Sequence, residues 1–332
     1  MTTASQISGI KQIIWIDEFI PVLKEIVQQA ENIYLNQYEN PRFKSDVISC
    51  DARNAKKYKN IFPFHNFERL APLMTRLRII KEHQEINIIR HACSITAMGY
   101  DHILKYVKPG VYEYEVEAEI NWVFRRNGIK NHAFHPIVAS GTNACYLHYT
   151  ENHSICKSGD LLLIDFGAEF ANYASDCSRT IPVNGRFTDR QKLFYNSTLS
   201  VYKKVKKMMI KGTSIALINK QVGVLWEEEH VKLGLYSLED LKHQDNGSPL
   251  YAKYFMHGVS HFLGLDVHDT GSQSNILEPG MVLTCEPGIY ISEEGLGIRL
   301  ETNILITENE PLDLMEHMPV EIEEIENKMN EK

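Results

Sequence analysis

The apolar run Leu161-Leu-Leu-Ile164 ends directly on Asp165, and this junction constrains the fold more than any other feature of the chain. A short, unbroken apolar run bounded by turn signals reads as a strand buried on both faces. A carboxylate at its end needs a partner, because burying a lone charge is very costly. Asp176 follows, with the turn-like stretch Phe170-Ala-Asn-Tyr173 midway between the two acids. A hairpin there predicts Asp165 and Asp176 on facing strands, near the same level and on one face. Like charges so placed repel, and a bound cation resolves the conflict. Taken alone, the pair is better accounted for by two hydrated acids, one at a strand end and one at a turn.

Composition removes whole classes of function. The chain has 332 residues, with Lys+Arg 35 against Asp+Glu 43 and a net charge of −8. That balance argues against a nucleic-acid partner, which needs a strong basic footprint. The apolar runs are far shorter than the roughly 18 residues of a membrane span, so no membrane partner is expected. Met1 to Ile10 has neither a basic stretch nor a long apolar one, which predicts no secretory leader. The six cysteines form no CxxC pair and read as free thiols. Together these features predict a cytoplasmic protein.

The pattern along the chain predicts an α+β fold. Ile13–Ile16 and Ile33–Leu35 are expected as strands flanking a helix from about Glu18 to Ala30, one βαβ unit within residues 1–75. Such a piece buries too little surface to stand alone. It is therefore expected to pack on the rest of the chain or on a second subunit, with a homodimer as one assembly. From residue 76 the spacing predicts a long helix, Arg76–Val107, and a second over Glu113–Asn127. Strands follow at Ile137–Ala139, Leu161–Asp165 and Ala174–Pro182. Helices are expected from Thr188 to near Gly212 and within Ser214–Leu233, and strands again at Met281–Glu286, Gly288–Ile291 and Ile298–Thr307. This catalytic unit is expected over residues 76–320, and residues 321–332 as an acidic, solvated tail.

Further chemistry-bearing residues stand at similar positions. His257-Gly-Val-Ser-His261 and His268 place three histidines in one glycine-punctuated run. No HExxH occurs, which argues against a thermolysin-type zinc site. Glu286 ends Met281-Val-Leu-Thr-Cys285, and Glu301 lies within Ile298–Ile306. Strand alternation places Arg299 and Glu301 on one face, where an ordinary ion pair would account for them. Arg299 would also neutralise part of an acidic cluster. Hard oxygen ligands with a single imidazole suit Mn²⁺, and less selectively Co²⁺, Fe²⁺ or Zn²⁺. Two such ions about 3.5–4 Å apart would make a hydrolytic centre, a geometry that spacing leaves open.

These motifs, taken in order, resemble those of the Xaa-Pro aminopeptidases (aminopeptidase P), members of the pita-bread metallopeptidases together with prolidases and methionine aminopeptidases. The carriers are Gly159-Asp-Leu-Leu-Leu-Ile-Asp165-Phe-Gly, Tyr173-Ala-Ser-Asp176-Cys-Ser-Arg-Thr, His257-Gly-Val-Ser-His261, Glu286-Pro-Gly and Ile298-Arg-Leu-Glu301. The match runs from about Thr75 to the C-terminus. The resemblance implies a pita-bread catalytic domain and two divalent metal ions. Asp165 would bind one ion, Asp176 and Glu301 would bridge both, and His261 and Glu286 would complete the other. It implies a metal-bridging hydroxide as nucleophile, with Glu286 accepting its proton. His148, in Cys145-Tyr-Leu-His148, and His268 would face the substrate, His257 would line the site, and Arg299 would help shape the proline-side pocket. The implied partners are peptides with proline second, whose tertiary amide has no N–H and resists general peptidases.

Two departures are visible. Thr302-Asn303 follows Glu301 where many relatives carry a second acid, a change expected to touch only the outer shell. About 75 residues precede the catalytic pattern, where the family carries a creatinase-like domain of well over a hundred, so they are expected to match its last portion. A prolidase restricted to Xaa-Pro dipeptides is the nearest alternative function. A non-catalytic pita-bread binding protein is a second, disfavoured because all five ligand positions are kept. A serine hydrolase lacks its GxSxG elbow.

Overall fold

The computed structural model of the chain describes residues 2–37, 47–245 and 247–331. Met1 and 38–46 of the expected N-terminal segment, and Lys332 of the expected tail, lie outside the described residues. The chain divides into two units, Met1–Arg76 and Leu77–Lys332.

The first unit holds α1 (Thr2–Ser8), α2 (Phe19–Val27), β1 (Asn32–Leu35), α3 (Cys50–Ile61) and β2 (Asn66–Arg69). β1 and β2 pair in parallel, from Asn32 opposite Asn66 to Leu35 opposite Arg69. The βαβ unit therefore exists, but with only one of the two expected strands: Ile33–Leu35 lies in β1, and the second strand is Asn66–Arg69. Ile13–Ile16 forms no strand, and Trp15 and Ile16 are exposed. The Glu18 carboxylate accepts the Trp15 N–H at 3.1 Å, which turns the segment into the lead-in to α2. Four apolar residues are too few for periodicity to separate these outcomes.

The division between the units falls within α4 (Ala71–Ile79). The single helix expected over Arg76–Val107 is broken after Ile79. A new helix, α5 (His83–Tyr106), starts where the Glu85 carboxylate accepts the Glu82 N–H at 2.7 Å, half of a capping box. α5 packs against α6 (Glu113–Arg126). Beyond them lie β3 (Asn131–His132), β4 (Ile137–Ser140), β5 (Leu161–Phe166), β6 (Ala168–Phe170), β7 (Tyr173–Ala174) and β8 (Cys177–Pro182). They form two three-stranded antiparallel sheets, β4-β5-β8 and β3-β6-β7.

One ribbon runs through both sheets. Pairing proceeds from Leu161 opposite Pro182 to Phe166 opposite Cys177, and resumes from Glu169 opposite Ala174 to Phe170 opposite Tyr173. Ala171 and Asn172 close it with φ of 49° and 69°, the two positive values of a type I′ turn. The expected hairpin is present, with one adjustment. Asp165 pairs with Ser178, so Asp176 lies two residues further along the same face, level with Gly167. A Cβ on Gly167 would lie 1.8 Å from the Ser175 carbonyl oxygen, so only glycine permits this approach beside Asp176.

The remainder comprises α7 (Asp189–Met208), α8 (Ile215–Lys232), α9 (Leu238–Lys242), β9 (Val282–Cys285), β10 (Gly288–Ile291), β11 (Leu296–Arg299), β12 (Thr302–Leu305), β13 (Leu312–Asp313) and α10 (Ile322–Asn330). β9 and β13 flank β12, and β10 pairs with β11. The strand expected over Ile298–Thr307 is thus two strands in different sheets. At the break, Leu300 donates its N–H to Pro287 and Glu301 donates its own to Ser178. The acidic tail is not a solvated end either. Ile322 and Ile325, one turn apart, bury the inner face of α10, while Glu326 accepts the Phe187 N–H at 3.0 Å.

Gly167→Ala is expected to destabilise the fold by about 1–3 kcal/mol, the usual cost of forcing atoms into a packed site. Urea unfolding should show it as a lower midpoint at an unchanged slope.

Candidate active site

The acidic and imidazole side chains of the site come from strand ends, the segment before β9 and the break between β11 and β12. Asp165 comes from the end of β5, Asp176 from the entry to β8, His261 from the segment before β9, Glu286 from the end of β9 and Glu301 from the break itself. Asp176, His261 and Glu301 each offer a ligand atom within 4.8 Å of the others. His261 Nε2 lies 3.4 Å from Asp176 Oδ2 and 3.7 Å from Glu286 Oε1. Its Nδ1 faces the Phe262 carbonyl at 3.0 Å; an N–H there leaves the Nε2 lone pair directed into the acidic cluster. Asp165 lies near enough to Asp176, Glu286 and Glu301 for their charges to act on one another, and its Oδ1 is buried without a hydrogen-bond partner. An orphaned carboxylate oxygen beside further acids and an imidazole fits a divalent cation.

The electrostatics follow from crowding. Burial raises the carboxyl pKa of Asp165, Glu286 and Glu301, and pushes Asp176 up to about 6. Neighbouring acids add to each of these shifts. Burial alone would lower His261, but its contact with Asp176 and the charge of Glu286 bring it above the ordinary value. One cation of the protein is built in. Arg299 donates Nη2 to Asp165 Oδ2 at 2.6 Å, Nε to Ser178 Oγ at 2.8 Å and Nη1 to the Tyr290 hydroxyl at 2.9 Å. The alternative of an ordinary Arg299–Glu301 ion pair does not account for Arg299, which pairs with Asp165. Strand alternation stops applying where β11 ends.

The histidines divide into two kinds. His257 is held from both sides, with Nε2 2.9 Å from the Tyr290 hydroxyl and Nδ1 2.8 Å from the Gly258 carbonyl. Burial and the nearby Arg299 charge push it down to about 3, so it stays neutral. Its Nδ1 is 3.6 Å from Glu286 Oε2. His148 and His268 are exposed at the rim. His268 packs edge-to-face on His261, with ring centroids 4.3 Å apart. His148 lies close enough to His257 for its charge to be felt there.

Several supporting residues escaped the sequence reading. Asn303 clamps the backbone of Asp176, donating Nδ2 to its carbonyl at 2.6 Å and accepting its N–H at 3.1 Å. Thr284 accepts the His261 N–H at 3.0 Å and donates to Glu286 Oε1 at 3.3 Å. Glu113, fully buried at the start of α6, accepts the N–H groups of Ser140 and Ser154 and the Tyr149 hydroxyl, so it gathers the loop carrying His148. Tyr290 joins Arg299 to His257. Only Asn303 left a sequence signal, as the departure after Glu301.

Fold and site together define an acid-and-imidazole metal centre set in an α+β scaffold. Residues 87–308 match the model of metallopeptidase family M24. The chain is 37% identical over 329 residues to an Xaa-Pro aminopeptidase of Haemophilus influenzae, covering 95% of this chain and 73% of that protein. It is 41% identical over 269 residues to the Xaa-Pro aminopeptidase of Escherichia coli, covering 77% and 60%. A structure of a variant of Escherichia coli aminopeptidase P in complex with substrate superposes with a TM-score of 0.84 at 35% identity, over 98% of this chain and 77% of that one. The structure of the same enzyme with the inhibitor Pro-Leu gives 0.85 at 35% identity, over 98% and 76%. This chain thus spans about three quarters of the Haemophilus protein and 60% of the Escherichia coli one. It belongs to metallopeptidase family M24, on the Xaa-Pro aminopeptidase branch, and has the pita-bread fold. Membership implies divalent metal ions.

Asn303→Ala would leave the buried N–H and carbonyl of Asp176 unpaired. Metal affinity is expected to fall about 10–100-fold, as when other supports of a ligand are removed. Titration calorimetry with Mn²⁺ checks this.

Proposed function

We propose that the chain is a dinuclear metal-dependent exopeptidase that hydrolyses the bond between an N-terminal residue and a following proline. The observation that supports the proposal is the cluster of Asp176, His261 and Glu301, whose ligand atoms lie within 4.8 Å of one another, with Glu286 3.7 Å from His261 and the unpartnered Asp165 Oδ1 nearby. Asp165 would hold one ion, Asp176 and Glu301 would bridge, and His261 and Glu286 would complete the second. Bound there, divalent cations would supply Lewis-acid polarisation of the scissile carbonyl and acidify a water. The oxygen-rich set with one imidazole favours Mn²⁺ over Co²⁺, Fe²⁺ or Zn²⁺.

The chain's own groups take the remaining roles. Glu286 is the proton acceptor, its Oε2 turned toward neutral His257. Arg299 opposes the burial-driven rise in the Asp165 carboxyl pKa and holds the carboxylate in place through a charge-assisted bond. His148 and His268, exposed at the rim, orient the peptide and donate to the carbonyl oxygen and the departing imide nitrogen. All six cysteines are free, which supports residence in a reducing compartment such as the cytoplasm. Among the described residues no helix is long and apolar enough to cross a membrane.

Metal analysis and peptide assays test the reading together. Chelation should abolish activity and Mn²⁺ restore it, and Asp176→Asn should lose most activity while the fold survives. A tripeptide with proline second should be cut between its first two residues, and alanine in place of that proline should sharply slow cleavage. Hydrolysis of Xaa-Pro dipeptides alone would make the protein a prolidase. His268→Ala should lower kcat by about 10²–10³ without removing metal, because loss of one donor to a developing charge typically costs that much.

A further inference from the structure

The loop from Gly264 to Gly271 carries His268 and is held from within by the next residue, Asp269. The Asp269 side chain is buried. Its Oδ2 accepts from Lys81 Nζ at 3.1 Å, and its Oδ1 from Arg78 Nη2 at 2.5 Å and from the Thr270 N–H at 2.8 Å. Lys81 is itself only 4% exposed, an uncommon place for a lysine. Arg78 ties the loop a second time, through Asp266 Oδ2 at 2.6 Å. The backbone closes around this cluster. Asp269 donates its N–H to Phe262 at 2.9 Å, and Ala174 donates to Gly264 at the same distance. A Cβ on Gly264 would meet Asp269 Oδ2 at 2.2 Å, so the carboxylate fills the loop interior.

A buried ion cluster of this kind is weak evidence for stability, because well-packed apolar residues often serve as well. What it supplies is geometry. His268 is an exposed side chain on an irregular segment, yet donating to a reacting group demands placement to a fraction of an ångström. The clamp fixes the backbone immediately after His268, and the His261 ring limits it on the other side.

We propose that Asp269, gripped by Lys81 and Arg78, is a positioning residue that sets His268 over the metal centre. The inference rests on the peptidase reading above. The test uses the full, Mn²⁺-loaded chain and an Xaa-Pro-Xaa tripeptide. Asp269→Asn, and the milder Arg78→Gln should the first not fold, are each made alone and in a His268→Ala background. Asp269→Asn should lower kcat by about 10²-fold, the scale of a small misplacement, with metal content unchanged and KM little affected. In the His268→Ala background the same change should cost nothing further, since both act through one ring. Arg78→Gln should follow the pattern with a smaller loss. A full additional loss in that background, a parallel loss of metal, or an unaltered kcat overturns the proposal. Hydrogen exchange over 264–271 separates it from the functional reading. If the wild-type chain cleaves no Xaa-Pro peptide, the peptidase reading fails. Faster exchange in both variants would then keep the clamp, and unchanged exchange would remove it.

Discussion

Four carboxylates, two buried and two largely so, within reach of one another are the constraint around which the catalytic unit is organised. Two unit charges 4 Å apart in a partly buried site repel by about 4 kcal/mol. Left alone, Asp165, Asp176, Glu286 and Glu301 would hold protons or push apart, as their raised carboxyl pKa values indicate. Much of the surrounding architecture counters this tendency. Arg299 is spent on Asp165. The Ser178 hydroxyl donates to Glu301 Oε2 at 2.7 Å, and fully buried Arg179 caps the Glu301 carbonyl at 2.6 Å. Asn303 fixes the backbone of Asp176. Protein donors satisfy only part of the cage, and the remainder suits cations.

The same constraint explains where regular structure stops. Asp176 lies in the gap between β7 and β8, Glu286 just beyond β9, and Glu301 between β11 and β12. A side chain in mid-strand has its direction set by the pleat. At an interruption the backbone can turn the carboxylate inward while its N–H finds another partner, as Glu301 does with the Ser178 carbonyl. Gly167 has the complementary role, letting the opposing strand close tightly beside Asp176.

This also bears on what was legible in the sequence. Asp165 and Glu286 announce themselves by closing apolar runs, and the spacing of Asp165 and Asp176 around a turn implies a hairpin. Such signals are local, and local patterning survives in a single sequence. The misreadings arose where local patterns continue across a point that tertiary structure breaks. Ile298–Thr307 reads as one strand, and nothing nearby reveals that Pro287 and Ser178 take the N–H groups of Leu300 and Glu301. Ile13–Ile16 reads as a strand because a short apolar run looks the same in a helix lead-in. The acidic tail hid Ile322 and Ile325 behind its charge. The supports of the site were least legible, because their partners are remote: Asn303 meets Asp176, Glu113 meets Ser154, and Arg299 meets Asp165.

Exposure divides the four histidines along the lines of their proposed roles. A buried imidazole that must accept a cation or stay neutral gains from fixed neighbours, and His261 and His257 each have one ring nitrogen against the carbonyl of the following residue. That arrangement selects a tautomer before any ligand arrives. An imidazole that must greet a peptide cannot be sealed in the same way. His148 and His268 stand exposed, as the proposed role requires, and their order has to come from the segments that carry them. Buried carboxylates serve both segments: Glu113 gathers the backbone on either side of His148, and Asp269 fills the loop that presents His268. The acidic cluster and the rim are thus built on one principle at two depths. Charge that water would otherwise solvate is enclosed, and the donors required to enclose it hold the reactive side chains in register.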